Sequence, residues 1–164
     1  MKIEIKTVCQ TALLTALVFI VTRFIQIPIP LGYFNIGNSL ILIGCVLLPS
    51  PYGIIAGSLG SALADLTSYA EYTLPTLVIK AIMPYLFYLL SRKLPIQKEL
   101  LNRSVACAIV TLIPLFGYTL TGGFFEGSIL AGLAQFPGLF LEYVANLIIF
   151  VALLAAVRKI NLKR

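Results

Sequence analysis

Apolar runs follow one another along nearly the whole of this 164-residue chain, separated by little more than a Pro-rich turn, a Gly-rich stretch or a short basic linker. A water-soluble domain cannot be built on that pattern, because its core must be covered by polar surface and ordinary domains are about 25% charged. Here 11% of residues are charged and 60% are apolar, and the mean hydropathy is +1.02. A membrane-crossing helix takes about 20 apolar residues, which sets a ceiling of roughly six or seven helices. The expectation is an all-α integral membrane protein, with residues 1–164 forming one transmembrane bundle.

Six helices are predicted, over residues 7–25, 35–48, 52–68, 74–90, 104–120 and 139–157. The first is too long for a cleaved secretory signal and lacks a small-residue cleavage site. Between it and the second lies IPIPLGYFNIG (residues 27–37), a loop in which Pro28 and Pro30 push their predecessors to extended geometry. The second and third are short, which requires shielding by neighbouring helices or a thinned bilayer. Pro84 interrupts the fourth and Pro114 is expected to kink the fifth. A charged linker is expected over 91–103, and the Gly-rich residues 121–138 read as an outer loop.

An even number of crossings puts both termini and the 91–103 linker on one side. That side then holds Lys2, Lys6, Arg92, Lys93, Lys98, Arg103, Arg158, Lys159, Lys163 and Arg164, ten of the twelve basic residues. Basic residues close to span ends follow the positive-inside bias, so this side is assigned to the cytoplasm.

The chain contains no His, which excludes Ser-His-Asp and Cys-His catalysis and removes the commonest metal ligand. Cys9, Cys45 and Cys107 are far apart in apolar surroundings and read as packing residues. No metal-binding run is present, and neither a cofactor nor a metal is expected. With Glu4 and Glu99 also on the basic side, the charges that remain elsewhere are Arg23, Asp65, Glu71, Lys80, Glu126 and Glu142. Ionisable residues within a span are costly and mark sites by default. Asp65 and Lys80 can reach similar depths, either as a structural ion pair or as ligand contacts. Glu142 and Asn146 share a helix face beside Tyr143 and favour a polar cavity. Tyr85, Tyr88 and Tyr118 add aromatic surface with a hydroxyl. Asn35 and Asn38 follow Tyr33 and Phe34 at the start of the second helix, where an amide either caps the helix or binds a heteroaromatic solute. Small residues at Gly53, Ala56, Gly57, Gly60, Ser61 and Ala64 form a packing ridge, and Ala12 with Ala16 forms a second small pair.

The run GYFNIGNSLILIGCVLLPSPYGIIAGSLGSALADL, followed by TLPTLVIKAIM, resembles the substrate-binding S components of energy-coupling factor (ECF) vitamin transporters, in the group with riboflavin-type and hydroxymethylpyrimidine or pyridoxine-type members. The resemblance covers the whole chain and is densest over residues 32–83. In that pattern an acidic residue often stands where this chain has Asn38. The resemblance implies a multi-pass protein of a prokaryotic cell membrane that binds a vitamin from outside and performs no chemistry. It also implies a transmembrane coupling subunit, the T component, as partner, with two ATPase subunits behind it. Ala12 and Ala16 match the family's small-residue motif facing that subunit. The sequence itself has no Gly-x-x-x-x-Gly-Lys-Ser/Thr loop for hydrolysing ATP.

Expected ligand contacts are Phe34, Asn35, Asn38, Asp65, Lys80, Tyr85, Tyr118, Glu142 and Asn146. A carboxylate beside an amide suits an aminopyrimidine edge. That favours hydroxymethylpyrimidine, a thiamine precursor, or a pyridoxine-like ring, with riboflavin as the alternative. From other classes, an ion-coupled solitary carrier or an intramembrane enzyme would use Asp65 and Glu142.

Overall fold

The computed structural model describes residues 4–161 as a helical bundle capped at one end by a small β-hairpin. Lys2, Lys163 and Arg164 of the basic cluster lie outside the described residues. Helix α1 (Ile5–Phe24) leads into strands β1 (Ile27–Ile29) and β2 (Gly32–Phe34), followed by α2 (Gly37–Leu47) and α3 (Tyr52–Leu66). A single 3-10 turn, Ala70–Tyr72, opens α4 (Thr73–Lys93), and α5 (Glu99–Val110), α6 (Leu112–Phe125), α7 (Ile129–Ala134) and α8 (Phe136–Asn161) complete the chain.

Among the described residues, four helical segments are long and apolar enough to cross a membrane: Ile5–Phe24, Ala70–Lys93, Glu99–Phe125 and Phe136–Lys159. Helices α2 and α3 have 11 and 15 residues. At 1.5 Å per residue α2 is about 16 Å long, half the thickness of the hydrocarbon core. It is sheltered accordingly: eight of its eleven residues are buried. Ile41 and Leu42 of α2 meet Val18 of α1, Met83 and Phe87 of α4, Val110 of α5 and Phe150 and Leu154 of α8 in one core. Phe87 and Phe150 pack edge to face with ring centroids 5.7 Å apart.

The small-residue ridge of α3 is buried and lets two neighbours approach closely. A Cβ on Gly57 would stand 2.5 Å from Ile41 of α2, and one on Gly60 would stand 2.7 Å from the Thr15 carbonyl oxygen of α1.

Three expectations need correction. Residues 27–34 of the expected 27–37 loop form a hairpin in which Ile27 pairs with Phe34 and Ile29 with Gly32. Its turn is Pro30-Leu31, with Pro presetting the first turn position and Leu31 held at φ 59 in the second. The fifth helix starts earlier than residue 104, at Glu99, and the linker shrinks to residues 94–98; Glu99 favours a helix N-terminal turn and accepts from Arg103 one turn on at 2.8 Å. This helix divides at Thr111, three residues before Pro114, because Pro114 has no N–H for the carbonyl four residues back. Most of residues 121–138 is helical rather than loop. Gly127 makes the turn at φ 62, and Gly132 lets α7 lie against α6, since a Cβ there would meet the Thr119 carbonyl at 2.3 Å.

Candidate functional site

At the hairpin end of the bundle, β2, the ends of α3 and α6, the first turns of α4 and the start of α8 enclose a polar cavity of ≈ 30 Å³. Asp65 comes from the last turn of α3, and Thr76 and Lys80 stand one turn apart on α4. Tyr118 is contributed by α6, and Glu142 by α8.

Asp65, 3% exposed, is the hub of the upper layer. Its two carboxylate oxygens accept from the hydroxyls of Tyr33 and Thr76. Because the Thr76 proton is used on Asp65, the Tyr118 hydroxyl, 3.0 Å away, donates to Thr76. Burial, and then the adjacent Asp65 carboxylate, push the Tyr33 hydroxyl well above the usual tyrosine pKa, so it remains a donor. The Tyr33 ring also packs against Tyr69 with centroids 5.4 Å apart.

One turn deeper, Lys80 donates to Asn38 Oδ1, and Asn38 Nδ2 donates to Glu142 Oε1 at 3.0 Å. The amide therefore lies between the ammonium and the carboxylate, presenting oxygen to one and nitrogen to the other. The Lys80 ammonium also stands 5.3 Å from the centre of the Tyr118 ring, within cation–π range. The lining carries two carboxylates against one ammonium, a formal charge of −1.

Of the two alternatives for Asp65 and Lys80, the direct ion pair does not form in this arrangement. Thr76 occupies the turn of α4 level with Asp65, and Lys80, a turn deeper, reaches Asn38. No carboxylate among the described residues lies within 4.0 Å of Lys80.

Among the expected contacts, Asn35, Asp65, Lys80, Tyr118 and Glu142 line the cavity. Asn38 and Asn146 stand behind its wall, and Phe34 and Tyr85 do not line it. Asn146 is fully engaged: Oδ1 accepts from the Ser39 N–H at 2.9 Å and the Ser39 hydroxyl at 2.7 Å, while Nδ2 donates to the carbonyls of Asn35 and Glu142. It fastens α8 to the start of α2. Asn35 accepts from the Gly37 N–H at 2.7 Å, an Asx turn just before α2 whose N-cap is Ile36, and it also lines the cavity. Tyr85 is 52% exposed because five residues after Lys80 is about 140° around a helix. Phe34 pairs with Ile27 at the end of the hairpin, and its neighbour Tyr33 turns inward.

Sequence reasoning did not single out Thr22, Ser61 or Thr76 as ligand contacts, and the lining also includes Tyr33, Tyr69, Tyr72 and Gln135 from the loops and turns expected to cap the ligand. The hydroxyl oxygens of Thr22 and Ser61 are buried without a hydrogen-bond partner among the described residues, the condition of groups that await a ligand or water. Thr76 was legible in principle, four residues before Lys80 and thus on its face.

On the outside of the bundle Ala12 and Ala16 are exposed. They open into an apolar groove of ≈ 780 Å³ between α1 and α3, floored by Ile55, Leu59 and Leu63.

Three matches from comparison with known proteins bear on this architecture. The family model described as "ECF-type riboflavin transporter, S component" matches residues 2–159. A solved S component of a bacterial ECF transporter has the same fold, with TM-score 0.71 over 97% of this chain and 98% of that one at 17% identity. An uncharacterized protein in the gap 3'region of Pyrococcus woesei is 45% identical over 65 residues, which is 38% of this chain and 44% of that protein. The match thus covers less than half the length of that curated relative.

Proposed function

The chain belongs to the family of ECF-type riboflavin transporter S components, and on that premise we propose that it captures a vitamin in the cavity formed by Tyr33, Asp65, Tyr118 and Glu142 for ATP-driven import. The observation that carries this reading is a buried hydrogen-bonding surface at one end of an otherwise apolar bundle, with the Thr22 and Ser61 hydroxyls left unpartnered. Such groups are stabilised once a bound solute supplies their hydrogen bonds. At ≈ 30 Å³ the cavity has room for water only, so entry of a vitamin requires the hairpin, which lines it through Ile29, Leu31, Gly32 and Tyr33, to move aside.

The vitamin we favour is riboflavin. The case for hydroxymethylpyrimidine or a pyridoxine-like ring rested on a carboxylate and a free amide side by side at Glu142 and Asn146. Asn146 is committed to Ser39 and to backbone carbonyls, which weakens that case, and the family description favours the flavin. Four lining tyrosines offer stacking surface for its ring system, and Asn35, Thr76 and Gln135 offer polar contacts to a hydroxylated chain.

We assign six crossings, with α2 and α3 shielded by their neighbours, and both termini to the cytoplasm of a prokaryotic cell, because Arg92, Arg103 and Arg158 gather at the end opposite the cavity. The apolar groove at Ala12 and Ala16 is assigned to the transmembrane coupling subunit, through which two ATPase subunits would act. Reconstitution in liposomes tests the scheme. Uptake of riboflavin only when coupling subunit and ATPases are present supports it, and uptake by the chain alone would establish a solitary ion-coupled carrier using Asp65 or Glu142.

A further inference from the structure

Far from the vitamin cavity, the opposite end of the bundle holds a second polar pocket. A cavity of ≈ 320 Å³ lies between the turn after α2, the end of α4 and the start of α5, where Ser91, Arg92 and Arg103 face it. Arg103 also borders an adjoining cavity of ≈ 270 Å³, shared with Arg158 and walled by Val46, Leu47 and Leu154.

Two features of the pair are unexplained by packing. Three guanidinium groups face one carboxylate, Glu99, which is 2.8 Å from Arg103 and 4.0 Å from Arg158; Arg92 has no carboxylate within 4.0 Å among the described residues. Beside Arg92, the Ser91 hydroxyl oxygen is buried and has no hydrogen-bond partner among the described residues.

We propose that this double cavity binds the phosphate of an anionic lipid headgroup. The planar forks of Arg92 and Arg103 match phosphate oxygens, and the Ser91 hydroxyl supplies a third donor to an oxygen held between them. A soluble phosphate ester offers the same chemistry. The lipid is favoured by the apolar wall next to the arginines, where Leu47 is 60% exposed, and by the position of the pocket at the ends of two long apolar helices, the level at which headgroups lie. The inference is independent of which vitamin occupies the other end.

Native mass spectrometry of the full-length protein, released from vesicles of equal phosphatidylglycerol and phosphatidylcholine, provides the test. The wild type should retain phosphatidylglycerol preferentially. Arg92→Gln and Arg103→Gln should each lower that preference by roughly five-fold, as expected for one juxtamembrane cation, and Ser91→Ala by less. Lys6→Gln, a basic position at the same end but outside both cavities, should lower it by clearly less than either Arg variant, and an equal loss there would show a diffuse basic surface instead of a site. Thermal midpoints confirm that each variant is folded, and Arg103→Lys, which keeps the charge, should fall between wild type and Arg103→Gln. Equal retention of the two lipids by the wild type, or an unchanged preference in folded Gln variants, overturns the proposal. Displacement of phosphatidylglycerol by glycerol 3-phosphate at comparable concentration overturns the lipid assignment in favour of a soluble phosphate ester.

Discussion

Asn38 is the residue on which the buried charges of the cavity turn. It separates Lys80 from Glu142 while satisfying both, and neither ion has another charged partner within 4.0 Å among the described residues. Asn38→Ala should therefore destabilise the protein by about 2–3 kcal/mol, the cost of leaving a buried charged group without its hydrogen bond. Thermal unfolding in detergent measures this, and a shift indistinguishable from wild type would show the pair to be satisfied by other means. Tyr85→Ala, at a face turned away from the cavity, should change vitamin affinity by less than about two-fold in the same preparation. The contrast shows how far single residues were legible. The buried ionisable side chains could be read directly, because charge inside a span is rare enough to mark a site. Which groups pair could not, since one turn of α4 decides whether Asp65 meets Thr76 or Lys80.

At the scale of elements, hydrophobic runs located the helices, and the small-residue ridge correctly identified the face of α3 that packs. Gly60→Val tests that packing, because the new Cβ meets the backbone of α1 and backbone cannot turn aside as a side chain can. A loss of about 1–3 kcal/mol is expected, read as a lower unfolding midpoint. A neutral result would mean that α1 slides easily on α3. Ala12→Trp with Ala16→Trp should leave vitamin binding intact and abolish uptake that depends on the coupling subunit. Loss of binding as well would make this face internal support for the cavity. The hairpin and α7 were not legible as elements. Their Pro- and Gly-rich composition reads as loop locally, and their structure is set by pairing and close approach between segments, such as Gly132 against Thr119.

For the molecule as a whole, the sorting of charge carries the account. The cavity beneath the hairpin has a formal charge of −1 at one end, while Arg92, Arg103 and Arg158 collect at the other. In a background without native cysteines, Gln97→Cys should react with an impermeant thiol reagent only from the cytoplasmic side and Ser128→Cys only from outside, and the reverse pattern would invert the assigned orientation. The bundle and its basic end were visible in the sequence. The ligand was not, because side chains remote in sequence, from Thr22 to Glu142, meet only in three dimensions. The most direct measurement is a titration of riboflavin fluorescence with the purified chain, in the absence of partners, for wild type and Lys80→Met. Saturable quenching by the wild type, weakened by roughly ten-fold or more in the variant, is the predicted result. Absence of quenching by folded wild-type protein, or equal affinity in the variant, would contradict a flavin site built around this cavity.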